Sequence, residues 1–199
     1  MALASCHKAA DTQPEVAERP LAVFAAQRVV VAPTTHVRVA DSLGWVPQLS
    51  VAKSIARRLD TNLVAVLEAR GVGSRWIFPA ELTRAFERNR TYAPDPYQLV
   101  VDQVRGPRFK AGERYGEPLS SQLRTMIALQ EDARFVLLPA DLRFERQGTA
   151  GRAVLRVVLL DPRFAEAKWV GDVKGDAAGT AGQALSSLAT RVADLFVAP

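Results

Sequence analysis

The chain has 199 residues, 48% hydrophobic and 24% charged, which suits one globular domain with an ordinary core. No apolar run approaches the roughly 20 residues that cross a bilayer, since residues 21–32 are interrupted by Gln27 and Arg28. A net charge of +5 gives mild attraction to anionic surfaces, but no Lys/Arg block has the length of a nucleic-acid recognition patch, and a single cysteine excludes an internal disulfide.

At the N-terminus, Leu3-Ala4-Ser5-Cys6 resembles a bacterial lipobox: an aliphatic residue, two small residues, then a cysteine that is cleaved before and acylated. A secretory signal needs a basic stretch and an apolar stretch of roughly 7–15 residues before its cleavage site, and only Met1 and Ala2 precede the box. Three explanations stand: a start further upstream, a trimmed chain, or a chance match in a terminal tail. Residues 7–20 are polar and small, too poor in apolar surface to order themselves. They read as a flexible tether with a reach on the order of 45 Å. The expected organisation is a lipobox remnant and tether over 1–20 and one domain over 21–199.

Val29-Val30-Val31-Ala32 before Pro33 is a continuous apolar run, as in a strand buried on both faces. Residues 21–25 read as an extra strand or lead-in, and 34–44 as a loop with extended character. Between 50 and 70, Val51, Ile55, Leu59, Leu63 and Val66/Leu67 recur at helical spacing, with Arg57, Arg58, Asp60 and Glu68 on the other faces. Gly71 is placed to end that helix in a left-handed conformation. A short strand over 75–78 follows, then Pro79 opens another helix. Residues 96–104 predict a short helix with Tyr97, Val100, Val101 and Val104 inward. The glycine-rich, charged segment 106–117 predicts an exposed, mobile loop. A helix over 119–131, strands over 135–146, 153–160 and 169–174, and a helix over 180–197 complete the chain.

Strands alternating with helices argue for a parallel part, and three strands joined by short turns argue for an antiparallel meander. The fold class is therefore α/β with an α+β character: one mixed sheet of about five strands with helices packed on it.

Little in the sequence points to catalysis. Cys6, His7 and His36 lack metal-ligand spacing, so no metal and no cofactor is expected. Gly71-Val72-Gly73-Ser74 follows a helix where a phosphate loop would open one. Glu113 and Glu117 lie in a charged loop that offers no burial to separate their pKa values. There is no Gly-x-Ser-x-Gly elbow. The candidate partner-binding residues are Trp45, Arg105, Arg108, Phe109, Arg114 and Tyr115, because aromatics beside arginines on loops are common interface anchors. Trp45, like Tyr97, reads first as a cover over the core edge.

The order of elements resembles the TolB N-terminal domain and the CsgG-like and LpoB-like envelope lipoproteins. The resemblance is carried by Val29-Val30-Val31-Ala32-Pro33, Leu43-Gly44-Trp45 before a long helix, Trp76-Ile77-Phe78-Pro79, Ala133-Arg134-Phe135-Val136-Leu137, and the hairpin over 157–173 with Asp161 and Trp169. It covers roughly 28–197, departs at Thr34-Thr35-His36 and offers no match for 106–117. The resemblance implies a non-catalytic envelope component that docks an envelope protein partner or assembles into a homo-oligomer. It would be membrane-anchored through acylated Cys6. With His7 after the cysteine in place of aspartate, the general lipoprotein sorting pattern implies the outer membrane, facing the periplasm. The alternative is a cytoplasmic binding module for an acidic protein or nucleic acid, although nucleic acid is the less expected ligand on charge patterning.

Overall fold

The computed structural model describes residues 19–38, 43, 45, 51–130 and 133–198. β1 (Val29–Val31) and β2 (Val37–Arg38) lie end to end along one edge of β3 (Phe135–Gln147), both parallel to it. β4 (Ala150–Asp161) and β5 (Glu166–Lys174) complete an antiparallel meander on the other side. This is the expected mixed five-stranded sheet of a single α/β domain. The expected strand over 75–78 reduces to one parallel bridge, Ile77 to Val30.

The helices of the described residues are α1 (Ala22–Ala25), α2 (Ala52–Ala69), α3 (Pro79–Arg88), α4 (Asp102–Arg105), α5 (Leu119–Ala128) and α6 (Ala181–Asp194). Residues 21–25, expected as a strand or lead-in, form the short α1, and the N–H of buried Leu21 donates to the Leu195 carbonyl at 3.0 Å. Gly71 ends α2 with φ +82°, where a side chain would be strained. The helix expected over 96–104 is a 3-10 turn (Pro96–Gln98) and the separate α4. Val101 and Val104 point inward as expected, whereas Tyr97 and Val100 are partly exposed.

The sheet separates two cores. On one face α2 and α6 bring Leu59, Leu63, Leu67, Leu185 and Leu188 against Leu137, Leu155 and Val157. On the other, α3 and α5 bring Leu82, Leu119, Leu123 and Met126 against Val30, Val136, Leu138 and Val158.

The division depends on a bulge in β3. Pro139 pairs with Val157 and Asp141 with Arg156, so Ala140 is an extra residue. Before it, Phe135 and Leu137 face the first core while Val136, Leu138 and Ala140 face the second. After it, Leu142 and Phe144 face the first core. Strict alternation would have sent them to the second and buried Asp141 and Arg143 under α6, because a one-residue slip exchanges the faces.

The chain leaving β5 passes directly under α6. A Cβ on Gly175 would lie 3.0 Å from the Leu188 nitrogen and 3.1 Å from the Ala184 carbonyl oxygen, both helix backbone. Gly175→Val is therefore expected to push α6 off the sheet and lower stability by about 1–3 kcal/mol, read as a shift of the urea midpoint.

Candidate functional site

Beyond the bulge, the second face of the sheet is ionic. Arg143 reaches Glu145 at 3.1 Å and Asp172 at 2.9 Å, and Arg156 reaches Asp172 at 3.1 Å. Asp172 loses hydration here, yet hydrogen bonds and charge from Arg143 and Arg156 hold its carboxyl below the ordinary value. The buried Arg156 guanidinium also donates to the carbonyls of Val104 at 3.3 Å and Phe109 at 2.7 Å. It thereby clamps α4 and the following segment onto β4.

That clamp changes the standing of the expected interface loop. Gly112 N–H donates to the Ala167 carbonyl at 2.7 Å, Ala167 N–H to Glu113 at 3.0 Å, and Tyr115 N–H to Ala165 at 3.0 Å. The segment thus adds itself to the outer edge of β5. Phe109 and Tyr115, expected as exposed anchors on a mobile loop, are only 7% and 4% exposed and belong to the second core. Burial, and then the nearby charge of Asp161, raise the Tyr115 hydroxyl pKa. Trp45 is buried too, edge-on to Phe144 at 5.9 Å, which agrees with a core cover and not with an anchor.

Of the six candidate partner-binding residues, Arg108 and Arg114 are exposed, while Arg105 is half-buried between Asp102 and His36. Cys6 and the preceding Leu3, Ala4 and Ser5 lie outside the described residues. Arg156→Leu should free the loop, because two buried carbonyls lose their donors at about 1–3 kcal/mol each. Limited trypsin digestion is expected to cut at Arg108 and Lys110 markedly faster than in the wild type, while the helical circular dichroism persists.

A wide concave surface lies elsewhere. Three adjoining depressions form a trough along α2 and α3. The first, about 770 Å³, is lined by Arg28, Arg75, Trp76, Arg84, Arg88 and Gln130, among others. It shares Glu81 and Arg84 with the second, about 620 Å³, which in turn shares Arg57 and Tyr97 with the third, about 340 Å³. Arg84 and Arg88 are one turn apart on α3 and so share a face. Arg28 and Arg75 each stand two residues before the Val30–Ile77 bridge, at the same end of that parallel pairing. Glu81 spends one carboxylate oxygen on the Phe78 N–H that opens α3, at 2.9 Å.

Asp60 is the most unusual group in the trough. It sits on α2, between the second depression and the chain that crosses from β1 to β2. Thr34 donates both its N–H, at 2.9 Å, and its hydroxyl, at 2.7 Å, to one carboxylate oxygen. The other oxygen is buried without a partner among the described residues, as is the hydroxyl of Thr35. Burial pushes the Asp60 carboxyl up to about 6, against the opposing pull of the Thr34 bonds. Burial and then Asp60 raise the hydroxyl of neighbouring Tyr97. The arrangement can hold or release one proton near neutrality, and it can bind cations or hydrogen-bond donors on one side and anions at the arginine end.

Sequence reasoning missed both ends of this trough. Asp60 falls on a face of α2 that periodicity assigns to solvent, and its cover comes from a residue 26 positions earlier. The only readable sign of the arginine end is that each short apolar run, 29–32 and 76–78, is preceded by an arginine.

The pH dependence follows from the sign of the shift. With its folded pKa above its unfolded value, Asp60 binds a proton more tightly in the native state. Its contribution to stability is present below about pH 4 and is lost as pH rises through about 6. The loss is on the order of 3 kcal/mol. Asp60→Asn should remove the fall in stability between pH 4 and 6 and leave the protein at least as stable at pH 7, as measured by urea unfolding across that range.

No protein-family profile matches the chain, and no curated protein sequence does. Among solved structures it is similar to the PelC dodecamer from Paraburkholderia phytofirmans in space group P6, at 15% identity over 87% of this chain and 88% of that one, with a TM-score of 0.37. A single-substitution form of that dodecamer, in space group C2, is similar at 16% identity over 87% of this chain and 91% of that one, with a TM-score of 0.35. Likenesses of this size carry no argument about function.

Proposed function

We propose that this chain is a lipid-anchored bacterial envelope protein, acylated on Cys6, whose α/β domain binds another envelope component without catalysis. The observation that carries the reading is the Leu3-Ala4-Ser5-Cys6 sequence followed by a polar segment and then, at Leu21, by the first buried side chain among the described residues. The layout is anchor, tether, folded unit. A single acyl chain binds a membrane only marginally, so stable anchoring requires the several chains that mature lipoproteins carry. The reading puts the protein at the outer membrane, facing the periplasm, and its domain with the TolB N-terminal, CsgG-like and LpoB-like group. The parallel strands followed by an antiparallel meander support that grouping.

The binding surface in this reading is the trough along α2 and α3, with Arg108 and Arg114 as peripheral contacts. A homo-oligomer would use the same exposed surface. The alternative, a cytoplasmic module for an acidic partner, is favoured by one observation: the concentration of arginines at one end of the trough.

Palmitate labelling of the product of the native locus, upstream sequence included, separates the two. Label that disappears in Cys6→Ala is expected. Absence of label in both forms would overturn the anchored reading and leave the cytoplasmic module.

A further inference from the structure

We infer that the arginine-lined cleft between α3 and the start of β1 is a binding site for an anionic phosphate group. This goes beyond the anchored reading and does not depend on acylation of Cys6. Four guanidinium groups, Arg28, Arg75, Arg84 and Arg88, line one cleft of about 770 Å³, against one carboxylate, Glu81. That leaves a net lining charge of +3, from four positive groups and one negative. Among the described residues none of the four arginines forms an ion pair. This contrasts with Arg38, Arg70, Arg124, Arg143, Arg156, Arg163 and Arg191, each of which engages an acid. Arg58, Arg90 and Arg108 also pair with no acid among the described residues, so what sets these four apart is that they line one cleft.

Like charges gathered around a single counter-charge repel one another, and a bound anion relieves the repulsion. The chemistry of the lining narrows the anion. Guanidinium presents a planar fork of donors that matches phosphate oxygens two at a time. Gln130 and Ser74 add neutral donors to the lining. Trp76, itself 2% exposed, lines the cleft as well, and its buried indole N–H has no acceptor among the described residues. Several cationic forks and neutral donors around one cleft match a phosphate, with its multiple charged oxygens, better than a lone carboxylate.

The phosphate has two possible sources. One is a soluble polyphosphate. The other is the headgroup of an anionic lipid, for which the cleft is well placed. Ala26 and Arg28 line it, so it adjoins the part of the domain that follows the N-terminal segment, and the exposed Val23 of α1 lies three residues before Ala26.

The test uses the full 199-residue chain carrying Cys6→Ser, so that acylation contributes nothing to membrane binding. Calorimetry with inorganic pyrophosphate reads the soluble source. Flotation with phosphatidylglycerol vesicles, against phosphatidylcholine vesicles, reads the lipid source. Binding in either arm is expected, weakening as salt is raised. The double variant Arg84→Gln/Arg88→Gln should weaken it by about tenfold or more. Lys110→Gln/Lys174→Gln, which removes the same charge from exposed positions outside the cleft, should leave it within about twofold. Both pairs are exposed, and an unchanged urea midpoint will confirm that each variant folds. Pyrophosphate binding assigns the soluble source; vesicle binding without it assigns the headgroup. No binding in either arm overturns the inference, as does equal weakening by the two double variants, which would mean that net charge alone is responsible.

Discussion

One extra residue in one strand organises this domain. Ala140 bulges β3, and the bulge decides which side chains meet which core. It also marks where β3 changes partners, from β1 at residues 135–137 to β2 at residues 142–143. Between those two pairings the crossing chain, residues 32–36, cannot follow the ladder, and there it places Thr34 against Asp60 on α2. Pro139 fits this break, since it has no N–H to give to a ladder. After the bulge, Asp141 emerges on the polar side of the sheet, where it is buried and bonded to Arg38, which fixes β2 in place.

The same parity change gives the second face of the sheet two characters. Its first half, around Val136, Leu138 and Val158, is apolar and is covered by α3 and α5. Its second half is the ladder of Arg143, Glu145, Arg152, Arg156 and Asp172, where each carboxylate serves two guanidinium groups. Arg156 stands at the junction and spends its remaining donors on backbone carbonyls of the covering loop. Burying a guanidinium is costly unless its donors are satisfied, and these are satisfied by groups that a loop would otherwise leave unpaired. The ion network, with α4 and the segment after it, therefore closes this part of the sheet.

Much of the fold was legible because it is written in local periodicity. The helix over 50–70, its glycine stop at Gly71, the proline at the head of α3 and the three-strand meander all appear close to where apolar spacing and turn chemistry put them. The features that were not legible depend on distant partners. Phe109 and Tyr115 sit in a segment whose glycines and charges read as a solvated loop, yet backbone pairing with β5 and the Arg156 clamp bury both rings. Asp60 is flanked by Leu59 and Thr61 on a plain amphipathic helix, and nothing nearby in sequence announces Thr34. The four cleft arginines come from three separate stretches, and only the register of Val30 with Ile77 brings two of them to one end of the sheet. Function follows the same division. The proposed anchor is a local motif, whereas the proposed binding surface is a product of topology.

The claim on which this account rests is that Ala140 sets the parity of β3, and deletion of Ala140 tests it most directly. Without the extra residue, continuous alternation would turn Asp141 and Arg143 toward α6 and withdraw Leu142 and Phe144 from the first core. The account predicts that the deleted chain loses the cooperative urea transition of the parent and binds hydrophobic dyes as an expanded state. A deletion variant that unfolds cooperatively within about 1 kcal/mol of the parent, the scatter of an ordinary surface change, would contradict it.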